Sequence, residues 1–470
     1  MKLGDSPQPM AKSPYLTAPL KTDKMPPGIP YIVGNEAAER FSFYGMNSIL
    51  VTFMTKYMLD LHGAPDHLTD ARANEWYHTF MTVNYFLPIL GAILADAFWG
   101  KYKTIFYLSI VYCLGHFVLG MNETRYGLIA GLGLIALGAG GIKPCVSANV
   151  GDQFGPSNQH LLPKAFSWFY FSINVGSMFA TLLIPYLLEQ FPKDFSLEPR
   201  WGSHIAFSTP GLLMLLATVI LWLGRKRYVH IPPRGREFFR DISSPEGLKT
   251  LGNLAILVPF VAVFWALWYQ NFSAWVLQAE KMDRHWLGRE WQAGQIQTVN
   301  PLFILVFLPL FSYWVYPALN RVFRVTPLRK MGIGFVLTVL AFLVPAWIES
   351  QLAAGLKPHV GWQVLAYVFI SAAEVVISVT YLEFSYTQAP PSMKSVVMSL
   401  YLAAIALGNL FTAQVNHFIQ NPDGTTKLTG ANYYLFFTAL MFGTTILFLI
   451  VSPFYRGRTY IQDEAEAELR

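Results

Sequence analysis

Charge is scarce in this sequence. Asp, Glu, Lys and Arg together make up 13% of its 470 residues, against ~25% in a typical soluble domain. A water-soluble chain of this length needs more polar surface than that, so a soluble globular enzyme or binding module is excluded. Cysteine is scarcer still. Cys113 and Cys145 are the two present, both inside apolar stretches, which leaves neither a disulfide framework nor a thiolate metal site. No cluster of metal ligands, no nucleophile–base pairing and no phosphate-cradling glycine loop stands out, so nothing supports a membrane enzyme. Residues 1–30 carry Pro7, Pro9, Pro14, Pro19, Pro26, Pro27 and Pro30 but no apolar run and no small-residue cleavage site. That stretch is therefore not a signal peptide; it is expected to be a mobile or loosely interfacial tail.

Apolar residues are abundant, at 53%, and they fall in long blocks. A spanning helix needs about 20 of them in a row. Spans are expected at 31–58, 74–99, 104–121, 126–150, 162–189, 205–224, 250–279, 291–319, 328–350, 360–389, 394–419 and 430–454. An even number of spans puts both termini on one side. If that side is cytoplasmic, it holds 22 Lys and Arg residues against 9 on the other, the bias expected of membrane loops. This bias also accounts for the net charge of +6 without nucleic acid. The longest connection on the basic side, 225–249, divides the spans six and six. The chain therefore reads as an all-α polytopic membrane protein of the major facilitator fold, with twelve transmembrane helices in two six-helix bundles. Its parts are a Pro-rich tail (1–30), an N-terminal bundle (31–224), a basic linker (225–249), a C-terminal bundle (250–455) and an acidic tail (456–470). A multi-pass position in the plasma or inner membrane follows, with both termini cytoplasmic.

Charged side chains inside such spans cost about 2.5–3.5 kcal/mol each at the bilayer centre, and residues kept at that cost mark solute and ion pathways. Glu36, Glu39 and Arg40 share the first span with Tyr44. At about 100° per residue, Glu36 and Arg40 lie within ~40° of each other, with Glu39 and Tyr44 flanking them. Arg40 can pair with either carboxylate or with an anionic substrate. A proton reaching one Glu would break a pairing and free the Arg; the alternative is a static ion network. Lys143 follows Gly138-Ala139-Gly140-Gly141-Ile142 and precedes Pro144, where small residues bring helices together. It either pairs permanently with a first-span Glu or meets a substrate carboxylate. Glu383, in the tenth span, complements Arg40 and Lys143. A zwitterion between the bundles would place its carboxylate at the bases and its ammonium at Glu383. Glu374 lies nine residues earlier, about 180° around an ideal helix, and is assigned a structural role. His78 in the second span is titratable near neutral pH or is a hydrogen-bonded structural histidine. Asp96, in Gly91-x-x-x-Ala95-Asp96-x-x-x-Gly100-Lys101-x-Lys103, resembles the loop motif of major facilitators and is assigned to gating.

Several motifs occur together in order. Glu36-x-x-Glu39-Arg40-Phe41-Ser42-Phe43-Tyr44-Gly45, Gly140-Gly141-Ile142-Lys143-Pro144 and Phe169-Tyr170-Phe171-Ser172-Ile173-Asn174-Val175-Gly176-Ser177 resemble first-, fourth- and fifth-helix signatures of the proton-dependent oligopeptide transporter family. Phe264-Trp265-Ala266-Leu267, Gln297-Thr298-Val299-Asn300 and Leu382-Glu383-Phe384-Ser385-Tyr386 are similar to those of helices seven, eight and ten. The resemblance implies symport of di- and tripeptides with protons, driven by the proton gradient without a cofactor. Arg40 and Lys143 would meet the peptide carboxylate, and Asn174, Asn300 and Glu383 the amino terminus. Tyr44, Tyr85, Tyr170 and Trp265 would bound side-chain pockets. Glu36, Glu39, Arg40, His78 and Lys143 would handle the proton. His78, within Trp76-Tyr77-His78-Thr79-Phe80, matches a histidine of animal members.

The sequence departs from the family pattern at Phe43 (usually tyrosine), Asn47 (often arginine, which removes an outer-gate salt bridge), Tyr269 (often acidic) and Tyr401 (often tryptophan). The linker is too short for the two extra helices of many bacterial relatives, and 351–359 is too short for the large extracellular domain of animal ones. Nitrate or another small anion as cargo fits the charge set less well, since it needs no ammonium-binding carboxylate. A peptide-sensing receptor without net transport is the other alternative.

Overall fold

The structure, a computed structural model, describes residues 15–388, 394–423 and 425–455. Twelve long helical segments run through it: α1 (Ile29–Lys56), α2 (Asp70–Trp99), α3 (Lys101–Met121), α4 (Arg125–Asp152), α5 (Leu162–Glu189) and α6 (Arg200–Gly224), then α7 (Val258–Ala279), α8 (Ala293–Asn320), α9 (Pro327–Ala353), α10 (Gly361–Gln388), α11 (Lys394–Phe418) and α12 (Ala431–Val451). Ten of them are long and apolar enough to cross a membrane. The other two are α1, with its three charges, and α11.

The starts of these helices are legible locally. Thr69, Thr124 and Thr326 cap α2, α4 and α9, their side chains accepting from Arg72, Gly127 and Arg329 backbone N–H groups. Gly100, at φ 80, turns the chain from α2 into α3, a left-handed conformation that a Cβ would penalise.

Lipid tails are as apolar as leucine, so close backbone approach rather than hydrophobic burial holds such helices together. α2 and α4 meet at Gly91, where a Cβ would stand 2.5 Å from the Gly141 Cα. α5 and α1 meet at Gly176, where it would stand 2.5 Å from the Ala37 carbonyl oxygen. α1 and α7 are the central helices. Every residue from Gly45 to Met54 is buried, and Val258–Ala279 is almost wholly enclosed. α12 instead turns Phe442, Ile446, Leu449 and Ile450 outward, as a lipid-facing helix does.

Two regions differ from the sequence expectation. The tail is not loose throughout: residues 15–24 are docked. His230 N–H donates to the Leu16 carbonyl at 2.7 Å, and the Tyr15 ring stacks on His230 at 4.3 Å. Ser157 Oγ donates to Thr22 O at 2.9 Å, and Asn158 donates to Lys24 O at 3.2 Å. Pro19 restricts the unfolded chain, so ordering this segment costs slightly less entropy than its length suggests. The linker also has structure of its own, the helices Arg236–Ile242 and Pro245–Ala255. Leu251 and Leu254 of the second pack with Val397 and Leu400 of α11, so α7 begins at Val258 rather than near 250. Residues 1–14 and the acidic tail 456–470 lie outside the described residues.

α7 is broken. Its α-helical turns end at Trp268, tighten through Tyr269–Phe272, and resume at Ala274. The backbone groups released are satisfied by side chains. Tyr367 donates to Asn271 O at 3.3 Å and Tyr434 to Ala274 O at 3.1 Å. Non-helical backbone at membrane depth persists where protein encloses it in this way.

Candidate functional site

Among the described residues, side-chain bonds between the bundles cluster at the end opposite the termini. Lys56 pairs with Glu280 at 2.9 Å and Lys281 with Asp70 at 3.0 Å. Glu75 accepts from Gln420 at 2.9 Å, and Thr181 bonds Thr298 at 2.9 Å. Gln297 donates to Ser48 O at 3.4 Å. At the end bearing the termini, α5 exposes Lys164, Phe166, Ser167, Trp168, Tyr170 and Phe171. At 100° per residue these positions span about 200° of the helix, with Ala165 and Phe169 buried on the remaining side.

The first-helix charges form one buried cluster. Arg40 Nε lies 2.8 Å from Glu36 Oε1 and 2.7 Å from Glu39 Oε2. The spacing of four places Glu36 one turn below Arg40, while Glu39 reaches the same nitrogen from the adjacent position. Both carboxylates are thus committed to one guanidinium. Lys143 is not bonded to either of them. Its ammonium lies over two aromatic faces, 3.9 Å from the Phe43 centroid and 4.0 Å from that of Tyr85. The permanent Lys143–Glu pair allowed by the sequence is not what the structure shows.

Among the described residues, the C-terminal bundle offers the carboxylate of Glu374. Its Oε2 accepts from Trp268 Nε1 at 2.8 Å and from Asn300 Nδ2 at 2.9 Å. Asn300 also donates to Ser371 Oγ at 2.9 Å. Glu374, assigned a structural role from its spacing to Glu383, is bonded to α7 and α8. The Glu383 side chain lies outside the described residues. Sequence spacing separates the two glutamates by about 180° of an ideal helix; it could not say which way the cleft lay.

Aromatic residues bridge the basic and acidic sides. Tyr44 lies within electrostatic range of Arg40, Tyr85, Tyr170 and Glu374, and its ring stacks on Phe272 at 6.0 Å. Tyr269 packs edge-on to Tyr85 at 5.6 Å. A tyrosine in place of the usual acidic residue thus ties α7 to α2 without charge. Trp265 packs on Tyr269 at 5.8 Å and on Tyr401 at 6.4 Å. Asn174 donates to the Tyr170 carbonyl one turn back on α5, at 3.0 Å.

His78 is fully buried and spans three helices. Nδ1 is 2.8 Å from Asn409 Oδ1 on α11, and Nε2 is 3.0 Å from Ser273 Oγ at the break in α7. Asn409 Nδ2 donates to Ile405 O at 3.0 Å, which leaves its Oδ1 to accept from the imidazole. Nε2 of the neutral ring then accepts from Ser273; assignments of this kind rest on the bonding network. Asn47 is buried with no partner for its amide among the described residues. The ion pairs at the closed end are made by Lys56–Glu280 and Asp70–Lys281 instead, four residues at helix ends whose pairing no local pattern announced. Asp96 lies at the end of α2 in a widened turn, Leu94–Trp99. Its backbone carbonyl accepts from Arg234 N–H of the linker at 2.6 Å.

Among known families, the POT family model matches residues 102–245 and 236–435. This chain belongs to the POT family. It is similar to peptide transporter family 1 of Drosophila melanogaster, 37% identical over 70% of this chain and 48% of that protein. It is also similar to solute carrier family 15 member 2 of Mus musculus, 36% identical over 80% of this chain and 55% of that protein. The chain spans about half the length of the curated relatives it matches. Among solved structures, an auto-inhibited POT family peptide transporter aligns with a TM-score of 0.81 at 33% identity, covering 93% of this chain and 99% of that one. The POT family transporter PepTSo aligns with the same TM-score at 34% identity, covering 92% of this chain and 99% of that one. The major facilitator fold read from the sequence is therefore the fold of this POT family member.

Proposed function

We propose that this protein imports di- and tripeptides together with protons by alternating access, without a cofactor. The observation that carries the reading is the polarity of the cleft. Arg40 and Lys143 stand on one bundle and the Glu374–Asn300 pair on the other, with Tyr44 between. A short peptide in the zwitterionic form has the same polarity. Its carboxylate is drawn to the cations and its ammonium to Glu374. Tyr85, Tyr170 and Trp265 leave aromatic, weakly selective surroundings for side chains, and Asn174 offers a further amide. A small inorganic anion would leave the buried Glu374 carboxylate without use. With the termini cytoplasmic, as the loop charges argue, the end where the bundles are tied together is the outer one.

The proton would act through bonds already in place. Glu36 and Glu39 hold Arg40, so protonating either weakens one of its ion pairs and frees the guanidinium for a substrate carboxylate. At His78, a second ring proton removes the acceptor that Ser273 uses, forcing that hydroxyl to turn and loosening the α2–α7–α11 clasp. Asp96, at the junction of α2, α3 and the linker, is assigned to gating at the cytoplasmic end.

Dipeptide uptake into proteoliposomes, with and without an inward proton gradient, tests the reading. Gradient-dependent accumulation is expected; binding without uptake would favour a peptide-sensing receptor. The His78→Ala variant is expected to flatten the pH profile of uptake. An unaltered profile would leave His78 as a purely structural bridge.

A further inference from the structure

Lys143 is the cation of the cleft that has no carboxylate. Arg40 takes both nearby carboxylates, at 2.8 and 2.7 Å. Lys143 lies within electrostatic range of Glu36, Glu39 and Arg40, yet its Nζ is buried with no hydrogen-bond partner among the described residues. What surrounds it is aromatic. The ammonium sits 3.9 Å from the Phe43 centroid and 4.0 Å from the Tyr85 centroid, well inside the ~6 Å at which a cation and a ring face attract. Both rings are fixed in place, Phe43 by an edge contact with Tyr44 at 5.6 Å and Tyr85 by one with Tyr269 at 5.6 Å. Both are also buried, at 1% and 7% exposure. Phe43 has a second neighbour of like charge, with Arg40 Cζ 6.0 Å from the same ring. The ring is therefore within reach of both cations.

We infer that Phe43 and Tyr85 form a two-ring clamp that parks the Lys143 ammonium away from Glu36 and Glu39 and holds it ready for a substrate carboxylate. The inference rests on the proposal that the cargo carries a carboxylate. A ring face attracts a cation less than a carboxylate does, so it retains Lys143 in an empty site and yields it to an incoming anion. Without the clamp, Lys143 can fold onto the carboxylates of α1, where it would compete with Arg40 and be lost to the substrate. Phe43 suits this use because it has no hydroxyl to hydrogen-bond a neighbour and offers the cation only its face. Phe43 and Tyr85 are thus positioning residues acting through Lys143.

Progressive fluorination of the Phe43 ring tests this, because each fluorine withdraws π charge from the face while leaving the shape nearly unchanged. The full-length protein carrying mono-, di- or trifluorophenylalanine at position 43 is reconstituted into proteoliposomes, and dipeptide uptake is measured at fixed pH. The expected result is a stepwise rise in KM, reaching about tenfold for the trifluoro ring, with the maximal rate unchanged. A Phe43→Leu variant should match or exceed the trifluoro effect. A flat KM across the fluorinated series in a transporting protein overturns the clamp alone. A series that changes only the maximal rate also overturns it, by moving the ring to the reorientation step. Absence of dipeptide uptake by the unsubstituted protein overturns the transport reading and the clamp with it.

Discussion

The Glu374→Gln variant is expected to lose uptake of peptides with a free amino terminus, with apparent affinity falling about 30-fold or more. The magnitude follows from what glutamine keeps and what it loses. A Gln at 374 occupies nearly the same volume and still accepts from Asn300 and Trp268, which now donate to Glu374 at 2.9 and 2.8 Å. It has no charge to offer an ammonium. Truncating one partner of a desolvated charge pair costs about 2–5 kcal/mol, and 1.4 kcal/mol is a factor of ten. Equilibrium binding of a dipeptide and of its N-acetylated form separates affinity from folding. Wild-type protein should prefer the free amine, and the variant should bind both weakly and alike. Unchanged dipeptide affinity in Glu374→Gln would remove this residue from the site. Glu383→Gln is the companion measurement, since it was the tenth-helix carboxylate favoured on sequence grounds.

Glu36→Gln and Glu39→Gln should each uncouple accumulation from the proton gradient while sparing peptide exchange. Arg40 Nε sits between the two carboxylates at 2.8 and 2.7 Å. Glutamine at either position keeps nearly the same shape and leaves the other carboxylate paired with Arg40, so the cluster stays assembled. It cannot bind the proton, so the step that frees Arg40 no longer responds to pH. Each coupled proton allows about tenfold accumulation per pH unit of gradient, and this is the quantity that should collapse toward unity. Counterflow, which needs only exchange of bound peptide, should persist. Full accumulation by both variants under a one-unit gradient would assign the proton elsewhere, with His78 next in line.

How much of this was readable in advance varied with the kind of interaction. Helix number and order followed from block lengths of apolar residues, which bilayer thickness imposes. The Glu36–Arg40 contact was also local, since a spacing of four on a helix places side chains together. The partner of Lys143 was not readable, because Phe43 and Tyr85 come from two other helices and aromatic residues are common in every span. The same holds for His78, whose ligands Ser273 and Asn409 lie far away in sequence and whose approach to Ser273 depends on the break in α7. The docking of residues 15–24 onto the linker and the α4–α5 loop also escaped composition. Prolines report a restricted chain but not what it packs against.

The sequence by itself determined that this is a twelve-span membrane protein with two bundles, and that its first span holds two acids and a guanidinium on one face. Those outcomes depend on hydropathy, loop charge and helical periodicity, which act over neighbouring residues. Tertiary structure decided that Glu374 meets Asn300 and Trp268, which cation is left without an anion among the described residues, and which end of the bundles is tied together. These depend on the rotation of each helix about its axis and on the approach of the bundles. Both are set by contacts between residues far apart in the chain, such as Asn300 with Glu374 and Lys281 with Asp70.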